Sequence, residues 1–152
     1  MNSEVEQNED CQRLVKLPGF GPMVTAMFKS WVGDGSQYRS GREAAAALGV
    51  IPRQHSSGGK PLLLGITKKG DKEVRTMIIH GARAAVKSAA RKNDHLSQWI
   101  NALVARRGFN KATVALGHKL IRIAWAIVRH QTTYGPLFYA TREQMVLNVS
   151  NG

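Results

Sequence analysis

The sequence predicts a mainly α-helical fold: a helical domain interrupted by one small β-hairpin around residues 50–67. Three observations carry that prediction. Apolar residues recur at three- and four-residue spacing over most of the chain, the period of a helix with one buried face. Ser, Asp, Pro and Gly stand where helix starts and stops need them. Only residues 50–67 break the pattern, because Pro52 and Pro61 exclude a helix there and the arms "VIPR" and "LLLGIT" flank a serine–glycine loop. With 152 residues, 43 % of them hydrophobic, the chain has the size and the apolar content of one domain with a real core.

The first helix is expected to begin within Glu6–Asp10 and run to Lys16, its early acids lying near the positive end of the helix dipole. In "LPGFGPMVTAMF", Pro18 ends that helix, Gly19 and Gly21 permit a tight turn, and Pro22 suits a first helical position that needs no amide proton. Val24, Met27, Phe28 and Trp31 then share one face. "GDGSQYRSG" reads as a loop. Ser40 and Glu43 form a capping box for the short helix "REAAAAL", which Gly49 stops.

Asp71 caps a long helix reaching about Arg91. Val74, Met77, Ile78, Ala82, Ala85 and Ala89 line its apolar face; Lys72, Arg75, Arg83 and Lys87 are expected opposite, with His80 and Arg91 at the margin. A further helix starts at Asp94 and buries Leu96, Trp99, Ile100, Leu103 and Val104. The next, Asn110 to about His130, carries Val114, Leu120, Ile121, Ala124, Trp125, Ile127 and Val128, and Gly117 within it signals a close helix contact. Residues 1–131 are therefore expected to form the domain: a glycine-turn unit at 9–32, the serine loop at 50–67, the basic helix at 71–91 and closing helices at 94–130. Residues 132–152 read as a weakly structured tail with one short helix around Thr141–Leu147.

Charge points to the partner. Lys and Arg number 22 against 10 Asp and Glu, a net charge of +12. Four of the acids (Glu4, Glu6, Glu9, Asp10) lie in the first ten residues, so from Cys11 onward the balance is 22 to 6, or +16. A polyanion suits such a surface, since each cation placed on a phosphate releases counterions. Cys11 is the only cysteine, which excludes an internal disulfide and a cysteine-rich zinc site and fits a small core residue. An acidic N-terminus without a signal sequence, and no apolar run near the ~20 residues that span a bilayer, lead to the expectation of a cytoplasmic, nucleoid-associated protein that avoids membranes.

Three features carry candidate chemistry. The turn around Gly19 and Gly21 resembles a helix-hairpin-helix motif, in which backbone amides grip a phosphate without reading bases; its plain alternative is a tight connection with no ligand. Arg83, Lys87 and Arg91, at i, i+4 and i+8 and with no acid between His80 and Asn93, would track a phosphate backbone. The loop "PRQHSSGGK" holds Ser56 and Ser57 beside glycines that let a DNA backbone approach, while Arg53, His55, Lys60, Lys68, Lys69, Lys72 and Arg75 supply positive charge. A serine needs a base, a metal or a cationic pocket before it attacks anything. His80 and Arg83 meet that need only if the hairpin folds over the long helix. The Gly-x4-Gly-Lys-[Ser/Thr] spacing of a nucleotide-binding loop is missing, and no nucleophile elbow supports a Ser-His-acid hydrolase.

The segments "GVIPRQHSSGGK", "GITKKGD" and "IHGARAA", with the flanking sequence from about residue 9 to 130, resemble the C-terminal half of transposases of the "one-ten" insertion-sequence family, in its "eleven-eleven" branch. The resemblance implies a two-part DNA recombinase. A RuvC-like domain with an Asp-Glu-Asp-Asp metal tetrad would bind a divalent ion such as Mg. The C-terminal domain would contribute a serine that attacks DNA and forms a phosphoserine link. A structured RNA would guide the choice of DNA, and several copies would assemble.

The family's serine falls on Ser57, with Ser56 as the fallback because the doubled serine leaves the register open by one. Nothing in this chain resembles the acidic tetrad, so no cofactor is expected on it, and alone it is expected to be inactive in complete transposition. A non-catalytic nucleic-acid-binding module and an assembly module held together by apolar helix faces stay open as alternatives.

Overall fold

A computed structural model describes residues 8–50 and 71–134. They form six helices: α1 Glu9–Leu14, α2 Pro22–Val32, α3 Gly41–Leu48, α4 Lys72–Ala89, α5 His95–Arg107 and α6 Phe109–His130. The expected mainly helical class is what the chain shows. The hairpin at 50–67, with its serine loop, and the tail beyond residue 134 lie outside the described residues.

Caps account for most of the boundaries. Asn8 accepts from the Cys11 amide at 3.0 Å and starts α1 at Glu9, within the expected Glu6–Asp10 and with Glu9 and Asp10 in the first turn, but the helix ends at Leu14, two residues short of Lys16. The Ser40 hydroxyl accepts from the Glu43 amide at 3.1 Å, half of the expected capping box. The Glu43 carboxylate turns instead to Arg39, at 3.4 Å. Gly49, at φ 91°, ends α3 in the left-handed conformation. Asp71 accepts from the Glu73 and Val74 amides, and Asp94 from the Ser97 amide and hydroxyl, fixing the starts of α4 and α5.

Helix α6 is the centre of the molecule. Its 22 residues span about 33 Å, and α1, α3, α4 and α5 all pack on it, while α2 lies against α4 and α1. Leu116, Leu120, Ile121, Ala124 and Ile127 are fully buried along it. Gly117 does mark a close contact: a Cβ there would stand 3.1 Å from Ile79 Cδ1 of α4. Trp125 donates its indole N–H to the Gly35 carbonyl at 2.9 Å, which ties the α2–α3 loop to the same helix. Cys11 is buried as a core residue.

Candidate nucleic-acid interface

The glycine turn is closed by a Phe20 amide that donates to the Leu17 carbonyl at 3.0 Å. Pro18 takes the second position and Gly19, at φ 81°, the third, an arrangement that only glycine adopts without strain. Buried Leu17 and Phe20 anchor the turn, and the Phe20 ring meets Phe28 edge-on at 5.7 Å. Gly21 is the N-cap of α2, exposed and without a side chain; no carboxylate stands in the first turn, and Pro22 follows it. The first-turn amides of α2 are thus left without a side-chain cap.

This turn is seated directly on the basic helix. A Cβ on Gly19 would lie 2.6 Å from the Gly81 carbonyl oxygen, and one on Gly81 would collide with the Gly19 carbonyl. Two glycines facing each other allow the turn to touch the backbone of α4. At about 100° per residue, His80 and Lys87 fall on one flank of α4, about 100–120° round from Gly81, with Arg83 further round, while Arg91 lies just past the end of the helix. His80, Lys87 and Arg91 are exposed and Arg83 is half-buried. The contact thus brings the glycine turn against the helix that carries His80, Arg83 and Lys87, although about 60 residues separate the two in sequence.

Several carboxylates of the described residues are engaged away from the middle of α4. Asp10 pairs with Arg13 and with Lys29, the latter at 3.0 Å. Partial burial pushes its carboxyl up, but the Lys29 bond and charge, with bonds from Arg13 and Gln131, outweigh burial and hold it below the ordinary carboxylate value. Asp34 is held low by the Ser36 hydroxyl and amide, and Asp94 by the Ser97 hydroxyl. Among the described residues, ion pairs form only at Asp10 and Glu43, none of them on α4.

One expected site residue is misplaced. Arg75 is only 7 % exposed and donates to the Leu48 carbonyl at 3.4 Å. The reason is angular: Ala82 and Val86, seven and eleven residues on, share its side of α4, whereas Arg83 lies about 80° away. Arg75 is therefore a core-facing tether between α3 and α4 and leaves the phosphate-facing set. Lys72 is exposed at the first turn. Arg53, His55, Ser56, Ser57, Lys60, Lys68 and Lys69 lie outside the described residues.

A second concentration of positive charge escaped the sequence reading. Gly41, the first residue of α3, abuts the backbone of Arg122 on α6; a Cβ on Gly41 would stand 2.9 Å from the Arg122 Cα. That contact places Arg42 beside Arg122, both exposed. One turn earlier on α6, Lys119 lies half-buried with its ammonium 4.7 Å from the centre of the Trp99 ring. Burial lowers the Lys119 pKa, and the neighbouring Arg122 charge lowers it further. The available signal was the spacing Lys111, Arg122, Arg129 along α6, masked by the strength of that helix's apolar face.

Among the described residues, no three His, Cys, Asp or Glu side chains gather as a metal site would require, and no helix is long and apolar enough to cross a membrane.

Comparison with known proteins adds the family. Residues 11–97 match the model described as "Transposase IS116/IS110/IS902 family". The chain is 44 % identical over 134 residues to the transposase for insertion sequence element IS1111A of Coxiella burnetii, covering 88 % of this chain and 37 % of that protein. It is 43 % identical to a probable family 20 transposase of Pseudomonas aeruginosa, covering 90 % of this chain and 40 % of the relative. It is 36 % identical to the transposase for IS1328 of Yersinia enterocolitica, over 91 % of this chain and 40 % of the relative. The chain thus spans about two fifths of the length of these relatives, and no solved structure matches it. The sequence resemblance, the helical domain and these matches agree: the chain belongs to the IS116/IS110/IS902 family of transposases.

Proposed function

We propose that this chain is the nucleic-acid-binding, serine-bearing part of an insertion-sequence transposase. The observation that supports the reading is the junction of Gly19 with Gly81, which packs the turn before the uncapped start of α2 against the helix bearing His80, Arg83 and Lys87. Backbone amides there suit a phosphate oxygen, and those side chains extend the contact along a DNA backbone without reading bases. Family membership supports DNA as the partner. The helix-hairpin-helix reading rests on the turn geometry.

Ser57, or Ser56 by one residue of register, is the nucleophile in this reading. Its hydroxyl oxygen forms a bond to a DNA phosphorus, the bond from that phosphorus to a sugar oxygen breaks, and the departing sugar hydroxyl takes up the proton. A RuvC-like partner domain would supply the divalent metal. The described residues do not fit such an ion, since no three of their His, Cys, Asp or Glu side chains gather and their aspartates serve as caps, an ion pair or a loop contact, and no step on this chain is routed through it. A guide RNA and assembly of several copies belong to the same proposal. The alternative without catalysis keeps the surface and treats the serines as phosphate contacts.

Two measurements test the reading. Gel shifts across a salt series should show submicromolar DNA binding that weakens steeply with salt; no binding at low salt would overturn it. With the RuvC-like domain supplied, Ser57→Ala should abolish covalent capture of DNA while binding persists. Capture lost only in Ser56→Ala moves the nucleophile by one residue, and no adduct in any form leaves the non-catalytic module.

A further inference from the structure

We infer that the cluster of Arg42, Lys119 and Arg122, where α3 starts against α6, is a second phosphate-backbone site, separate from the α4 surface. The inference goes beyond the proposed function, which places nucleic acid on the turn, α4 and the serine loop.

Position comes first. Gly117 faces Ile79 of α4, and Arg122 follows it by five residues, which is about 140° around α6. The cluster therefore lies on a different side of α6 from the one packed on α4.

Charge and chemistry come next. Arg42 and Arg122 are exposed and form no ion pair among the described residues. The acids on this side have other engagements: Glu43 holds Arg39 at 3.4 Å, and Asp34 accepts from Ser36 while lying near Arg129. Nearby, Lys119 is fixed over Trp99, so its ammonium does not sweep freely through solvent. Gly41 removes the side chain that would otherwise force Arg42 away from Arg122. Packing thus sets the exposed Arg42 and Arg122 in one neighbourhood, where their like charges favour an anionic partner. Along α6, Lys111 and Arg129 extend the positive side over about 27 Å, the length of about eight base pairs of duplex. The partner is a phosphodiester backbone, in DNA or in RNA.

The test loads the 152-residue chain onto an immobilised biotinylated DNA duplex, washes it, and offers a fluorescent second probe, either duplex DNA or an RNA hairpin. The wild-type chain should capture a second probe, and the probe captured identifies the source. The double variant Arg42→Gln/Arg122→Gln should capture at least fivefold less, with a melting temperature unchanged in circular dichroism, and its salt slope should fall by about two for B-DNA. No second-probe capture by the wild type, or undiminished capture by this variant, overturns the inference; the latter would mean bridging by paired copies. Arg83→Gln/Lys87→Gln separates the two ideas. If it changes nothing while Arg42→Gln/Arg122→Gln removes all binding, the α4 reading fails and the α6 cluster stands.

Discussion

Gly19 and Gly81 meet backbone to backbone, with a Cβ on either one blocked by the other's carbonyl. Through this contact a turn between two helices becomes part of the surface of a third. Alanine at Gly81 must push the turn off α4, and alanine at Gly19 must also adopt a φ of 81°. Each is expected to cost about 2–3 kcal/mol in urea denaturation. Gly21 is the internal control, because a Cβ there meets nothing within 4 Å; Gly21→Ala should cost about 1 kcal/mol or less. Equal effects at all three positions would refute the seated turn.

Arg75 and Lys87 lie on one helix and are predicted to act differently. Arg75→Ala removes a buried donor to the Leu48 carbonyl and is expected to lower stability by about 2 kcal/mol with the salt dependence of DNA binding unchanged. Lys87→Gln should leave stability within about 0.5 kcal/mol and flatten the salt slope by about 0.9. The exchange of these two results would put Arg75 back among the phosphate contacts.

Asp10 provides a pH signature. Its folded-state pKa lies below the ordinary value of 3.8. The ionised form therefore contributes fully above that value, and the contribution is lost as pH falls through the depressed one. The gap in melting temperature between wild type and Asp10→Asn should shrink as pH is lowered from about 5 to about 3. A gap that stays constant would show that the pairs with Arg13 and Lys29 give no net stabilisation.

The Asp71 carboxylate accepts from two amides at the start of α4. Asp71→Ala is expected to destabilise by about 1 kcal/mol, and Asp71→Ser to recover most of it, both read by thermal melting. Full loss in both variants would mean that charge, rather than capping, matters at this position.

Local chemistry made much of the molecule legible in advance. Ser40, Asp71 and Asp94 announce helix starts because their short oxygens satisfy amides two or three residues away, and Gly49 announces a stop. Gly117 announced a close contact, though not its partner, Ile79. Of the expected run Arg83–Lys87–Arg91, Lys87 and Arg91 are exposed while Arg83 is half-buried and Arg91 lies past the helix end. Spacing gives an angle but neither the neighbours nor the end of the helix. Arg75 was not legible, because residue type suggested solvent while its angle set it between Ala82 and Val86, and its bond to the Leu48 carbonyl joins residues 27 apart, which no local pattern shows.

The sequence by itself determined the helical class, the caps, the basic character and the family resemblance, all of which depend on residues near one another in the chain or on composition. Tertiary structure decided which distant pieces share a surface. Gly19 reaches Gly81, and Gly41 brings Arg42 to Arg122, because packing around α6 selects backbone approaches across 62 and 81 residues that no local periodicity encodes.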